Sequence, residues 1–327
     1  MTARTLTALC ATLAAAVALA AAPRAGAEIV FDGRWPKPGL NRWDTILDFK
    51  PGNANKLRYV TSPRRRRSGY SADLRVGGNA QSERIVFLKQ VFDDAEGKDD
   101  WWAWSVYIPS DSDIPHMVYL VSLFSGDNFP ICGIKGPANS LYMEDPNPQR
   151  RADRWRYILT GGKNTCSISY ANVRGLRVVK DRWIDFSCHY RWSSSEDPSN
   201  TGLSQCFYRV APHRRWTLGF DVKGANLVSG PVYPGSLRVH YGLYKGESRP
   251  YVHFDLGGLV VATTRAEAER AAFGAGTPAG RAASSTPEPS RAPLIVGAAG
   301  ALAAAALLLV RRRGRGDRPR RPAHRSG

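Results

Sequence analysis

Helical periodicity is almost missing from this chain. Apart from residues 265–272, no stretch repeats its apolar residues every three or four positions, which excludes a helical bundle or a fold of alternating strands and helices. No segment repeats another, so a solenoid or propeller is excluded as well. Cysteine is scarce, five in 327 residues, and no Cys/His spacing has the form of a zinc site. Acidic residues are also few: 28 Asp and Glu stand against 46 Lys and Arg, giving a formal net charge of +18.

What the chain does have is short alternating runs bounded by Gly, Pro, Asn and Asp: 85–91, 101–108, 118–124, 155–159, 166–170, 183–190, 205–210, 237–244 and 251–255. That spacing predicts an all-β, two-sheet antiparallel sandwich or barrel, and a β-sandwich can use more than 200 residues as one unit, here 28–270. In the run 101–108, Trp102, Trp104, Val106 and Ile108 share one face and read as a core stripe.

The two ends differ in composition. Arg4, an apolar run over 6–22 and the small residues Ala25, Gly26 and Ala27 before Glu28 have the three parts of a signal peptide, residues 1–27. Residues 271–293 are rich in Gly, Ala, Ser, Thr and Pro and hold too little apolar surface to order themselves. Residues 294–310 then run without a charge, at the lower end of a transmembrane length, and the basic tail 311–327 belongs on the cytoplasmic side. These features predict export through the Sec pathway to the cell surface or beyond, with a membrane anchor unless the C-terminal segment is processed.

The tail supplies +7 of the net charge and Arg4 and Arg24 supply +2, which leaves +9 on residues 28–310. Arg64 to Arg67 are either a solvated loop or a patch that steers polyanions. Nucleic acid is a poor partner for an exported protein, whereas an acidic polysaccharide fits the sign. Cys10 falls in the leader, and the remaining four, Cys132, Cys166, Cys188 and Cys206, make an even set suited to two disulfides in an oxidising compartment. A hairpin centred on the turn-rich 193–202 sets Cys188 across from Cys206. Cys132 with Cys166 follows by elimination.

The run 238–244 concentrates chemistry on one side. With period 2, Val239, Tyr241 and Leu243 form an apolar face, while Arg238, His240, Gly242 and Tyr244 share the other. A cation, an imidazole and a phenol suit elimination on an acidic sugar: the cation neutralises the carboxylate, the imidazole removes the adjacent proton and the phenol protonates the departing oxygen. Gly242 leaves room there for something to approach. A half-buried strand with a polar outer face is the alternative.

The same segment resembles the glycine-tyrosine strand of the jelly-roll polysaccharide lyases of the heparin lyase and glucuronan lyase type, a concanavalin-like fold. Residues 99–111 (DDWWAWSVYIPSD), 181–193 (DRWIDFSCHYRWS) and 251–269 (YVHFDLGGLVVATTRAEAE) are similar to further strands of that family, in order. The resemblance spans residues 31–270. It implies Tyr244 as catalytic acid or base; with His240 in place of the usual lysine as base or neutraliser, Tyr244 is the acid and Arg238 binds the carboxylate. Gln81, Ser82, Glu83 and Arg84 stand where relatives have an arginine, a small residue and a glutamate, which implies Glu83 and Arg84 as substrate-binding residues, an ion pair being the alternative. In 118–124 the family's glutamine and histidine are missing, and His116 stands several residues away. The site is therefore either a rearranged lyase or a degenerate one that only binds polysaccharide, as lectin-like jelly rolls do; a structural protein of the surface matrix is a third option. No cofactor is implied, although Asp255 resembles an aspartate that holds structural calcium in some related sandwiches; a hydrogen-bonded Asp is the alternative. Thr286, Pro287, Glu288, Pro289 and Ser290, with the apolar run and the arginines after them, resemble a PEP-CTERM sorting signal, which implies an exosortase-type partner; a plain membrane anchor is the alternative.

Overall fold

The computed structural model describes residues 27–48, 56–60, 69–77, 83–125, 139–145, 150, 152–159, 169–194, 199, 201–227, 236–245 and 251–274. The leader 1–26, the arginine run 64–67, Gln81, Ser82, Cys132, Cys166, the sorting motif, the apolar run 294–310 and the basic tail lie outside the described residues. Among the described residues no helix is long and apolar enough to cross a membrane.

The strands run in chain order from β1 (Ile29–Gly33), β2 (Thr45–Asp48), β3 (Lys56–Val60) and β4 (Ser71–Val76) to β5 (Glu83–Phe92) and β6 (Asp99–Tyr107). Next come β7 (Met117–Ser125), β8 (Asn139–Glu144), β9 (Arg154–Leu159), β10 (Ser169–Arg177) and β11 (Trp183–Arg191). The last are β12 (Leu203–Val210), β13 (Thr217–Lys223), β14 (Leu237–Lys245), β15 (Val252–Leu256) and β16 (Leu259–Ala262), followed by helix α1 (Arg265–Phe273). Among the described residues they form a nine-stranded sheet, β13-β12-β11-β6-β15-β4-β3 with β16 beside β6 and β1 beside β16, and a seven-stranded sheet, β10-β9-β8-β7-β14-β5-β2. All strand pairs in both sheets are antiparallel. The all-β two-sheet sandwich expected from the alternating runs is the observed architecture.

Period-2 alternation builds the core from both sheets. On β6, Trp102, Trp104 and Val106 are buried, as is Ile108 just beyond the strand, so this stripe packs rather than offering rings to a ligand. On β14 it is Val239, Tyr241 and Leu243 that are fully buried. The Tyr241 hydroxyl crosses the core and donates to the Gly257 carbonyl at 2.5 Å, with the Ser105 carbonyl of β6 3.3 Å away. One phenol thus ties the middle of the seven-stranded sheet to the opposite sheet. Asp100 is one of the polar side chains buried in the sandwich. Its carboxylate accepts from the indole N–H groups of Trp102 and Trp192, the latter at 2.9 Å, and burial pushes it up to about 7 despite those two donors. Helix α1, capped by the Thr264 hydroxyl, lays Ala268 and Ala272 on Ala103, Val260 and Ala262.

Cys188 and Cys206 face each other directly in the β11–β12 register and are disulfide-bonded. The bond closes a segment with a sequence separation of 18, so replacing both cysteines by serine is expected to cost about 3 kcal/mol through the regained freedom of the unfolded chain. Guanidinium unfolding of the oxidised protein and the double variant measures this. Equal midpoints would remove the bond from the account of stability.

Candidate functional site

Strand β14 is positioned by the strands on either side of it. β5 and β7 flank it in the seven-stranded sheet, and in the register His240 faces Leu88 and Ser122, while Arg238 faces Gln90 and Phe124. Arg238, His240 and Tyr244 are half-buried on the face turned away from the core, as the alternation predicts.

The register also shows a single row running across the strands. Tyr244 faces Arg84 of β5 on one side and Tyr119 of β7 on the other; Tyr119 faces Tyr142 of β8, Tyr142 faces Arg156 of β9, and Arg156 faces Asn172 of β10. Residues directly opposite in antiparallel strands share a face. Three tyrosines therefore stand side by side with an arginine at each end. Their rings stack, Tyr244 on Tyr119 with centroids 5.7 Å apart and Tyr119 on Tyr142 with centroids 5.1 Å apart. At the far end Glu144 of β8 forms an ion pair with Arg156.

Tyr119 joins this row through a bulge. The burial of β7 alternates from Met117 to Leu120, then Leu120 and Val121 are buried in succession, and Ser122 and Phe124 return to the outer face. The pairing with β8 shifts at the same place. A bulge reverses the parity of everything beyond it. Tyr119 and Ser122, an odd number of residues apart, consequently share the face of Tyr244.

His240 sits in a cationic setting. Burial first, and then the charges of Arg84 and Arg238, push its imidazole down to about 4, so it is neutral and able to accept a proton at neutral pH. Its ring packs on Phe124 with centroids 4.1 Å apart. Ser122, opposite it, accepts a hydrogen bond from the Ser140 hydroxyl at 3.0 Å. Burial also lowers the Arg84 guanidinium, while nearby Tyr244 raises it.

The other sequence candidates are placed as follows. Glu83 is in register with Lys245 and Arg84 with Tyr244, so the face of Tyr244 belongs to Arg84; the Glu83 side chain lies outside the described residues. Gly242 does not leave room for a ligand. A Cβ there would stand 2.2 Å from the Ile85 carbonyl and 2.6 Å from the Val86 Cα, so what the glycine admits is the backbone of β5. The His116 carbonyl accepts from the Asp145 amide at 2.9 Å, and its backbone joins the approach to β7 to the end of β8. The row residues Tyr119, Tyr142, Glu144 and Arg156 were not singled out by the sequence.

Asp255 lies in a separate, buried cluster on the nine-stranded sheet. Asp73, His253 and Asp255 bring three possible ligand atoms within 4.8 Å of one another. His253 Nε2 is 2.9 Å from Asp73 and 3.7 Å from Asp255, its Nδ1 is 3.2 Å from Asp111, and Arg75 donates two hydrogen bonds of 3.0 Å to Asp73. Burial alone would push His253 down, but the carboxylates of Asp255 and Asp73 outweigh it and hold the imidazole up at about 9. Burial would likewise raise Asp73, yet hydrogen bonds from His253 and Arg75 take it down to about 2. Calcium prefers six to eight oxygen ligands. This donor set, with an imidazole at its centre and an arginine on Asp73, suits an internal ion-pair network instead.

The comparisons with known proteins agree with this architecture. The family model described as polysaccharide lyase matches residues 38–256. Among solved structures, the endo-β-1,4-glucuronan lyase of the fungus Trichoderma reesei is similar with a TM-score of 0.51 at 13% identity, over 74% of this chain and 98% of that one. The marine alginate lyase of Aplysia kurodai gives 0.49 at 10% identity, over 72% and 98%. At 13% identity the likeness to the glucuronan lyase shows the fold alone, a jelly roll. A search of curated proteins finds no match. Because the family model covers more than half of its length, the chain belongs to the polysaccharide lyase family.

Proposed function

We propose that residues 28–270 form an exported lyase that cleaves a uronate-containing polysaccharide by β-elimination. The observation that carries this reading is one face on which Tyr244 stands between Arg84 and Tyr119, with a neutral His240 held near two arginines. Arg238 and Arg84 neutralise the uronate carboxylate and stabilise the charge that builds on it as the adjacent C–H bond weakens. His240 takes that proton. The electron pair left behind forms the C4–C5 double bond, the C4–O bond breaks, and the departing oxygen receives the proton of Tyr244. No cofactor enters this scheme. Localisation follows from the leader-like 1–27 and the anchor-like 294–310, with an exosortase-type enzyme as the partner that processes the C-terminal segment. The lack of a glutamine and a histidine in 118–124, which the resemblance to the jelly-roll lyases leads one to expect there, favours the second reading, a lectin-like domain that binds without cleaving.

Purified 28–270 incubated with glucuronan, alginate and other uronans decides between them. A lyase releases an unsaturated uronate that absorbs ultraviolet light, whereas a binding domain is retained on the polymer and releases none. Retention without product from any uronan would replace the first reading by the second. The acid limb gives a sharper check on His240. Since the base must be neutral and its proton leaves at about 4, kcat/KM is expected to hold from pH 7 down to about 5 and to fall about tenfold per pH unit below 4. An acid limb centred near pH 6.5, the ordinary value for imidazole, would show that the arginines and burial do not hold His240 down, and an acid limb unchanged in His240→Gln would remove His240 from the role of base.

A further inference from the structure

We propose that the Glu144–Arg156 pair is a distal sugar-binding subsite, which makes the enzyme favour long stretches of its polymer over short oligomers. This rests on the lyase reading of the Tyr244 face. Strands lie about 4.8 Å apart, so β9 is about 14 Å from β14 across three strand spacings. Each spacing is close to the advance of one pyranose unit along an extended 1,4-linked chain. A polymer lying along the row from Tyr244 over Tyr119 therefore reaches Arg156 with its third or fourth residue. The half-buried rings of Tyr244 and Tyr119 give the start of that path an aromatic floor, and the fully buried Tyr142 holds the Tyr119 ring in place by stacking on it.

The chemistry at the end of the path is that of hydroxyl recognition. Glu144 offers acceptors and Arg156 offers donors in one ion pair, a combination that matches the mixed donor and acceptor character of adjacent sugar hydroxyls. Their side chains are 19% and 22% exposed, enough to be reached by a ligand and little enough to be held in place. The row thus has two different ends. Arg84, beside Tyr244, belongs to the cationic setting that takes a carboxylate, and the Glu144–Arg156 pair takes hydroxyl groups of a residue three positions away.

The test is a length series. With β-1,4-linked oligoglucuronates and oligomannuronates of three to six residues, the wild-type domain is expected to favour hexamers over trimers, through KM more than kcat. In Arg156→Gln that preference falls about ten- to hundredfold, as expected for one or two hydrogen bonds to charged groups. Glu144→Gln, which keeps the shape of the side chain, serves as the second variant should Arg156→Gln fail to fold, and thermal melts of both establish which can be read. An unchanged length preference in a folded variant overturns the subsite. If the wild-type domain cleaves nothing, the same series is read as Kd with fluorescently labelled oligomers: affinity that rises with length and loses that rise in either variant supports the subsite while the lyase reading falls, and affinity independent of length overturns it.

Discussion

Tyr244→Phe is expected to abolish turnover while leaving the fold and polymer binding almost intact. The substitution removes one hydroxyl and keeps the ring that stacks on Tyr119 at 5.7 Å, so the aromatic row stays closed. A general acid contributes about 10²- to 10⁴-fold in rate, whereas a lost surface hydrogen bond weakens binding by only about 1 kcal/mol. The two effects differ enough to be told apart in one experiment. Rates are followed by the absorbance of the unsaturated product, and binding by retention on immobilised polymer. A variant that still turns over within a few-fold of wild type would take the proton donor away from Tyr244. Arg238→Ala provides the contrast, because a cation facing a carboxylate acts on the ground state as well as the transition state. It is expected to weaken binding and to leave the residual binding less sensitive to salt.

The central strand was legible because its two faces differ in chemistry. Val239, Tyr241 and Leu243 against Arg238, His240 and Tyr244 is an alternation with an obvious inside, and β6 and β11 read equally well through Trp102, Trp104, Ile184 and Phe186. Strands covered on both faces were less visible. β16 is buried at all four positions and β4 at five of six, and neither shows the period-2 contrast on which a sequence reading depends. The Cys188–Cys206 pairing could be read because a turn-rich segment lies between two alternating strands, which fixes the partners by symmetry about the turn.

The site was legible in its first strand and hidden in the next three. Tyr119 has the wrong parity relative to Ser122 unless a bulge intervenes, and nothing in the sequence of β7 marks Leu120 as the extra residue. Tyr142, Glu144 and Arg156 lie on strands paired through register, which no local pattern specifies for residues so far apart in the chain. Gly242 was read as space for a ligand because a glycine on a polar face permits that reading. The close approach of Ile85 and Val86 depends on a neighbouring strand more than 150 residues earlier in the chain, and this decides the matter.

The largest stability effect is expected at His253, far from the row of tyrosines. His253→Leu removes the imidazolium that faces Asp73 and Asp255, both buried, and leaves their charges without it. Breaking a buried ion pair from one side costs about 3–5 kcal/mol, against the roughly 5–15 kcal/mol that holds a domain folded. Replacing Asp255 by leucine as well should recover part of the loss, because a well-packed apolar group in place of both partners is often neutral. The pH dependence has a defined sign. With His253 raised to about 9 from 6.5, its contribution is complete below pH 6.5 and is lost as the pH climbs through 9; with Asp73 lowered to about 2 from 3.8, its contribution is complete above pH 3.8 and is lost as the pH falls through 2. The network is therefore strongest between about pH 4 and 6.5, and wild-type protein should lose stability between pH 7 and 9 that His253→Leu has already lost. Urea midpoints at pH 5.5 and pH 9 measure both: the gap between wild type and variant narrows at the higher pH if the imidazolium holds the cluster, and a gap of equal size at both would assign the cost to packing alone.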